Sequence, residues 1–241
     1  MGVIDYSDFI WGDRFKEAFP NYYCKIDDPA HQPMFTRVLS HNSDLPIDDS
    51  VLDTFPSVSV WIGQNICTGD SRCYPIPIGL ENDYIGGQPG RKQLLAFTAR
   101  RCETRHAGGL CYYNCRNTNP EREEARRWFF DKLWCTFSEA KDYVAYLEDM
   151  ARHAFVVCPR GNGLDCHRTW EALYLGRYPI MRREWSLERL YCDLPVLFVD
   201  EWSDVTEDLL IRVCDEFAAI SWNLDKLKFS WWRGYVEGLF A

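Results

Sequence analysis

The run AFVVCPRGNGLDCHRTWEALYLGRYPIM, residues 154–181, constrains the fold more than any other part of the chain. It opens on an apolar strand (154–158), breaks at a loop holding Gly161 and Gly163, and continues as a helix over 168–175 closed by Gly176. A second apolar strand follows at 178–181. Two neighbouring strands joined through a helix are parallel, and the crossover is right-handed. Parallel strands buried on both faces read as continuous apolar runs, as these do, so the fold class is α/β.

The same unit crowds Arg160, Asp165, His167, Arg168 and Glu171 around one turn. Two explanations stand side by side. Either an anion sits there, or this is a polar loop in which Asp165 caps the helix and Arg168 pairs with Glu171 on its surface. For the first, free N–H groups at the helix start favour an anion, and the glycines let backbone approach it closely. Arg168 and Glu171 lie three apart on one face, which suits an arginine on a diphosphate and a carboxylate on ribose hydroxyls. The loop is neither the dinucleotide G-x-G-x-x-G nor the phosphate-binding G-x-x-x-x-G-K-[ST].

Around this unit the pattern repeats. A helix is expected over 5–19 and strands over 35–39 and 58–63, each strand followed by polar residues such as SHNSD (40–44). Residues 74–92, rich in Pro and Gly, read as the connection between two halves. Then come a strand at 93–98 (QLLAFT), helices over 120–135 and 143–152, and a last strand at 195–200. The expected domains are 1–85 as an N-terminal unit, 86–205 as a Rossmann-like unit, and 206–241 as helices packing back, with Trp231 and Trp232 buried in the last. If QLLAFT is a strand of the same sheet, Arg100 and Arg101 leave its carboxyl end toward the crevice.

A formal charge of -9 argues against a nucleic-acid or anionic-membrane partner, so any phosphate must be met by a local basic cluster. Eleven cysteines without a C-x2-C pair give no zinc signature, and no apolar run reaches membrane-spanning length. The expectation is a reduced cytoplasmic protein, with the Golgi or endoplasmic-reticulum lumen as the alternative if the chain is part of a longer one.

Residues 146–181 resemble the sugar-donor-binding segment of exostosin-like glycosyltransferases and related xylosyltransferases, and WIGQN (61–65), PIPIGLEN (75–82) and LSHNSD (39–44) are similar to other stretches of that group. Gly176-Arg177 stands where that group usually has glycine-cysteine. The resemblance implies a GT-B-like architecture, two Rossmann-like domains facing across a cleft with the N-terminal one small. It implies Arg168 on the diphosphate, Glu171 on the ribose, and Arg160, Gly161, Asn162, Gly163, Asp165 and His167 around sugar and phosphates, with Arg100 or Arg101 as a further phosphate contact. It further implies inverting transfer, without a metal, from a UDP-sugar, UDP-xylose for preference, to a hydroxyl of a glycan or glycoprotein. No D-x-D metal motif is present. The base is expected on an N-terminal loop, at His41, Asp44 or Asp13. A non-catalytic module binding a nucleotide sugar or carbohydrate is the alternative.

Overall fold

The computed structural model describes residues 5–26, 35–83, 90–101, 109–116, 118–139 and 141–241. They form an α/β protein with two parallel sheets. The first sheet is β1 (Tyr23–Cys24), β2 (Arg37–Ser40), β3 (Val60–Gly63) and β4 (Cys73–Pro75), side by side in chain order. The second contains β5 (Gly109–Tyr113), β6 (Cys135–Phe137), β7 (His153–Val157), β8 (Tyr178–Arg182) and β9 (Leu197–Val199) in the order β6-β5-β7-β8-β9. All its pairs are parallel, with Phe155 opposite Cys111 on one side and Tyr178 on the other. Because β5 lies between β6 and β7, the chain winds one way to reach β6 and the other to reach β7. The crevice outside the carboxyl ends of β5 and β7 is therefore the switch point, where open α/β sheets take their ligands.

Helices form where local chemistry specifies their ends. α1 (Gly12–Ala18) and α2 (Asp49–Thr54) belong to the first half. α4 (Pro120–Phe129) has Pro at its start and Asn119 accepting from the Arg122 N–H, and α5 (Tyr143–Arg152) is capped by Asp142. α6 (His167–Tyr174) ends at Gly176, whose φ of +70° suits glycine, and the Arg177 N–H returns to the Ala172 carbonyl at 2.8 Å. α7 (Trp185–Tyr191), α8 (Glu207–Ala219) and α9 (Phe229–Phe240) complete the chain.

Three readings of the sequence are corrected. QLLAFT is not a strand: it lies inside α3 (Arg91–Arg101), which buries Lys92, Leu95 and Ala96 and leaves Phe97 exposed. A six-residue apolar run fits helix and strand alike, and packing against α5 and α6 decides it here. The helix expected over 120–135 stops at Phe129, and its tail turns into β6. The helix expected over 5–19 is a 3-10 turn (Tyr6–Asp8) followed by α1.

One core joins the halves: Leu39, Ile62 and Ile76 of the first share a buried cluster with Tyr112, Val156, Trp170 and Tyr174 of the second. The Tyr174 hydroxyl donates to the Leu227 carbonyl and accepts from the Ile10 N–H, both at 2.8 Å. α9 lies against the first half, where Phe229 meets Phe15 and Phe240 stacks on Tyr22. Trp232 is buried and its indole N–H donates to the Lys226 carbonyl. Among the described residues no helix is long and apolar enough to cross a membrane.

Candidate active site

The loop from Cys158 to Cys166 carries the chain from β7 into α6 and rests on the carboxyl ends of the first sheet. The Leu164 N–H donates to Asn65 Oδ1 (2.9 Å) and the Ile78 N–H to Asp165 Oδ2 (2.8 Å). Asn162 Nδ2 donates to Asp44 Oδ2 at 3.2 Å. Asn65 adopts φ +55° and its amide also donates to the Ser43 carbonyl, so it stands fixed against Gly163. A Cβ on Gly163 would come within 2.7 Å of that amide.

Beside this loop, at the switch point, a cleft of about 530 Å³ opens. That volume lies in the range of small-ligand and cofactor sites. Among the described residues five permanent cations line it, Arg91, Arg116, Arg122, Lys141 and Arg168, against two carboxylates, Glu81 and Glu171. The excess is local and opposes the net charge of -9 for the whole chain. Two of the cations are engaged with acids, Arg91 with Glu81 and Lys141 with Asp149. Arg122 is partly spent: its Nε donates to the Arg160 carbonyl (2.9 Å) and it also holds Thr118 Oγ1 (2.8 Å). Among the described residues the exposed Arg116 guanidinium has no ion-pair partner.

Arg168 is the more telling cation. Its guanidinium meets the Tyr146 hydroxyl at 3.3 Å and the Cys115 thiol, and no acid among the described residues. Burial pushes both the Cys115 thiol and the Tyr146 phenol up, so each stays neutral and leaves the arginine's charge unbalanced. Cys166, at the start of α6, makes no side-chain capping bond, so the first N–H groups of that helix add to the positive potential of the cleft.

Glu171 does not pair with Arg168, contrary to the surface-pair reading; it is 6% exposed and held by two tyrosines. Tyr143 donates to its Oε1 at 2.9 Å and Tyr146 to its Oε2 at 2.8 Å. Each carboxylate oxygen retains a lone pair for another hydroxyl.

Of the residues expected to hold the sugar donor, His167, Arg168 and Glu171 line the cleft. Arg160 lies on the far side of the loop, in a second cavity of about 190 Å³ with Arg182 and Arg183. Gly161 packs on Arg122, while Asn162 and Gly163 make the contacts to the first half described above. Asp165 is neither a helix cap nor a cleft residue. It is 3% exposed and accepts from the Trp170 indole (3.0 Å), the Tyr191 hydroxyl and the Ile78 N–H. Burial pushes its carboxyl up against the downward pull of those bonds.

Arg100 and Arg101 are a correction: they occupy the last turn of α3, exposed and away from the cleft. An 11-residue helix is roughly 15 Å long, and it is Arg91 at the other end that reaches the site. The basic residues that follow them in the chain, Arg105 and His106, lie outside the described residues.

The expected bases fare differently. His41 is 1% exposed, stacked on Phe15, with Nε2 donating to the Pro77 carbonyl (2.9 Å) and Nδ1 accepting from the Asn42 N–H (2.9 Å). Burial lowers its pKa to about 4, and both ring nitrogens are spent on backbone, which removes it as a base. Asp44 is exposed and bonded to Asn162, outside the cleft lining. Asp13 is half-buried and accepts from Asn42 Nδ2 at 3.4 Å, in a polar cluster that includes Asn82.

Arg91, Arg116, Arg122, Lys141 and the two tyrosines escaped the sequence reading. The signal was there for one of them, Arg116: GLCYY followed by NCRNTNP repeats the pattern of apolar run then polar loop. The fold and site thus define an α/β protein with a cation-rich cleft at a parallel-sheet switch point. No protein-family profile matches the chain, and no curated protein matches it either.

Proposed function

We propose that the chain is a glycosyltransferase taking a sugar from a nucleoside-diphosphate sugar and passing it to an acceptor hydroxyl. The observation that carries this reading is the pairing of Arg168, a cation with no acidic partner among the described residues, with Glu171 one turn along, in a cleft of about 530 Å³. A diphosphate supplies the charge Arg168 lacks, with Arg116 and Arg122 beside it, and ribose hydroxyls supply donors for the open lone pairs of Glu171. The cations and the start of α6 stabilise the leaving nucleoside diphosphate as the anomeric C–O bond breaks and the acceptor oxygen bonds to that carbon.

The motif resemblance of residues 146–181 supports the same reading, and with it a GT-B-like arrangement, a UDP-sugar and inversion. Two parallel sheets whose carboxyl ends meet at the loop after β7 are compatible with that arrangement.

The test is calorimetric titration of the protein with UDP, GDP and a panel of their sugars, followed by assay of donor hydrolysis and transfer. Binding of one nucleotide class that is lost in Arg168→Ala, together with turnover, is expected. Binding without turnover on any donor and acceptor identifies a non-catalytic module, and no binding of any nucleotide removes the assignment of the cleft.

A further inference from the structure

We propose that His167 is the general base that takes the proton from the attacking acceptor hydroxyl, an inference that rests on the glycosyl-transfer reading of the same cleft. His167 Nδ1 lies 2.8 Å from the Gly79 carbonyl oxygen. A carbonyl only accepts, so the proton of the neutral ring is on Nδ1 and Nε2 carries the bare lone pair. Among the described residues Nε2 has no hydrogen-bond partner, and the ring lines the cleft with Arg168 and Glu171.

The orienting carbonyl is itself fixed. Gly79 has φ +66°, and a Cβ there would stand 2.4 Å from the Ile10 carbonyl oxygen, so only glycine fits the turn. The contact also crosses from one half of the protein to the other, which places the ring where an acceptor entering between the halves meets a sugar held by α6.

The other two histidines among the described residues have no such nitrogen. His41 is spent on Pro77 and Asn42, and His153 is buried with its ring nitrogens on the Asp149 carbonyl (2.7 Å) and Thr136 Oγ1 (2.8 Å). In the step, the acceptor oxygen bonds to the anomeric carbon and the bond from that carbon to the phosphate oxygen breaks. The nucleoside diphosphate keeps the electron pair, and the hydroxyl proton passes to Nε2. The imidazolium so formed is stabilised by the Gly79 carbonyl, which accepts from its Nδ1–H.

Among the described residues, the charged and titratable groups near the ring include Asp165, Cys166, Arg168 and Glu171 on its own loop and helix, His41, and Tyr143, Tyr146, Glu81 and Arg91 of the cleft lining. His41 stays neutral above about pH 4, so it contributes no charge where a histidine base works.

The test uses His167→Asn, whose amide still reaches the Gly79 carbonyl, beside His167→Ala, with UDP binding and turnover of the UDP- and GDP-sugar panel measured on each. UDP affinity is expected to stay within about twofold of wild type while transfer falls by roughly 10²–10⁴-fold, the range of general-base contributions. The acid limb of the kcat/KM profile, where the wild-type base becomes protonated, is expected to vanish. Transfer within about threefold of wild type, an unchanged acid limb, or a loss that follows UDP affinity overturns the proposal, the last by making His167 a phosphate ligand. Wild-type protein that binds UDP but turns over no sugar donor also overturns it and leaves the nucleotide site standing. Absence of UDP and GDP binding by wild type overturns the parent reading instead.

Discussion

The carboxyl ends of the two sheets are built from similar residues and do opposite things. At the ends of β2 and β3, His41, Asn42, Gln64 and Asn65 form a polar cluster whose bonds are spent inside the protein. At the ends of β5 and β7, among the described residues, Arg116 and Arg168 have no ion-pair partner, Glu171 keeps open lone pairs, and His167 keeps an open nitrogen. The first edge is a dock for the loop after β7, and the second is the one we propose for a ligand. Polar residues after a strand announce a functional edge only where their hydrogen-bonding capacity is left over; where it is consumed, they are structural.

This contrast can be broken at several points, and the largest effect belongs to the dock. Asp165→Ala leaves the Trp170, Tyr191 and Ile78 donors unpaired in the core and is expected to cost about 4 kcal/mol, read as a lower urea midpoint at unchanged slope. Little change in midpoint would show that Asp165 does not bind the halves together.

Next is the pH dependence set by His41, whose pKa falls from 6.5 free to about 4 in the folded chain. The unfolded chain takes up the proton first, so the stability is fully present above pH 6.5 and is lost as pH falls toward 4. The loss amounts to about 3 kcal/mol for this one group, and His41→Gln is expected to flatten that part of the Tm–pH curve. A curve that keeps its slope in the variant would return His41 to the list of candidate bases.

On the ligand edge, Arg168→Ala is expected to weaken UDP roughly 100-fold, about 2.7 kcal/mol, with the unfolding midpoint close to wild type. Equal loss of stability and binding would put Arg168 with the dock rather than the ligand. Gly163→Ala pushes a methyl into the Asn65 amide, which is held on both its oxygen and nitrogen, and is expected to destabilise by about 2 kcal/mol. Asp44→Asn is the smallest change. Its carboxylate is exposed, so an effect under about 0.5 kcal/mol and transfer within twofold are expected. A large drop in transfer would restore Asp44 as the base and displace His167.

How much of this was legible follows the range of the interactions. The βαβ unit of residues 154–181 could be read directly, because its apolar runs, Gly161, Gly163 and Gly176 act within a few residues of themselves. So could the face shared by Arg168 and Glu171, since a spacing of three fixes it in any helix. QLLAFT could not, because a short apolar run is compatible with both periods and only the neighbours α5 and α6 select one. With that error went Arg100 and Arg101, and the cation that does reach the cleft from α3 is at its other end.

The sequence by itself determined the parallel α/β class, the loop after β7 and the face of α6 that Arg168 and Glu171 share, because each is a matter of local pattern and helix geometry. Tertiary structure alone decided which of the polar strand ends stays open. The strand order β6-β5-β7 brings Arg116, Arg122 and Lys141 to the same crevice as Arg168 from distant parts of the chain. Burial neutralises His41 and the thiol of Cys115, and the docking of Asp165 on Ile78 takes a carboxylate out of the site and into the core. Whether a polar group is spent or free depends on partners tens of residues away, and no local pattern carries that information.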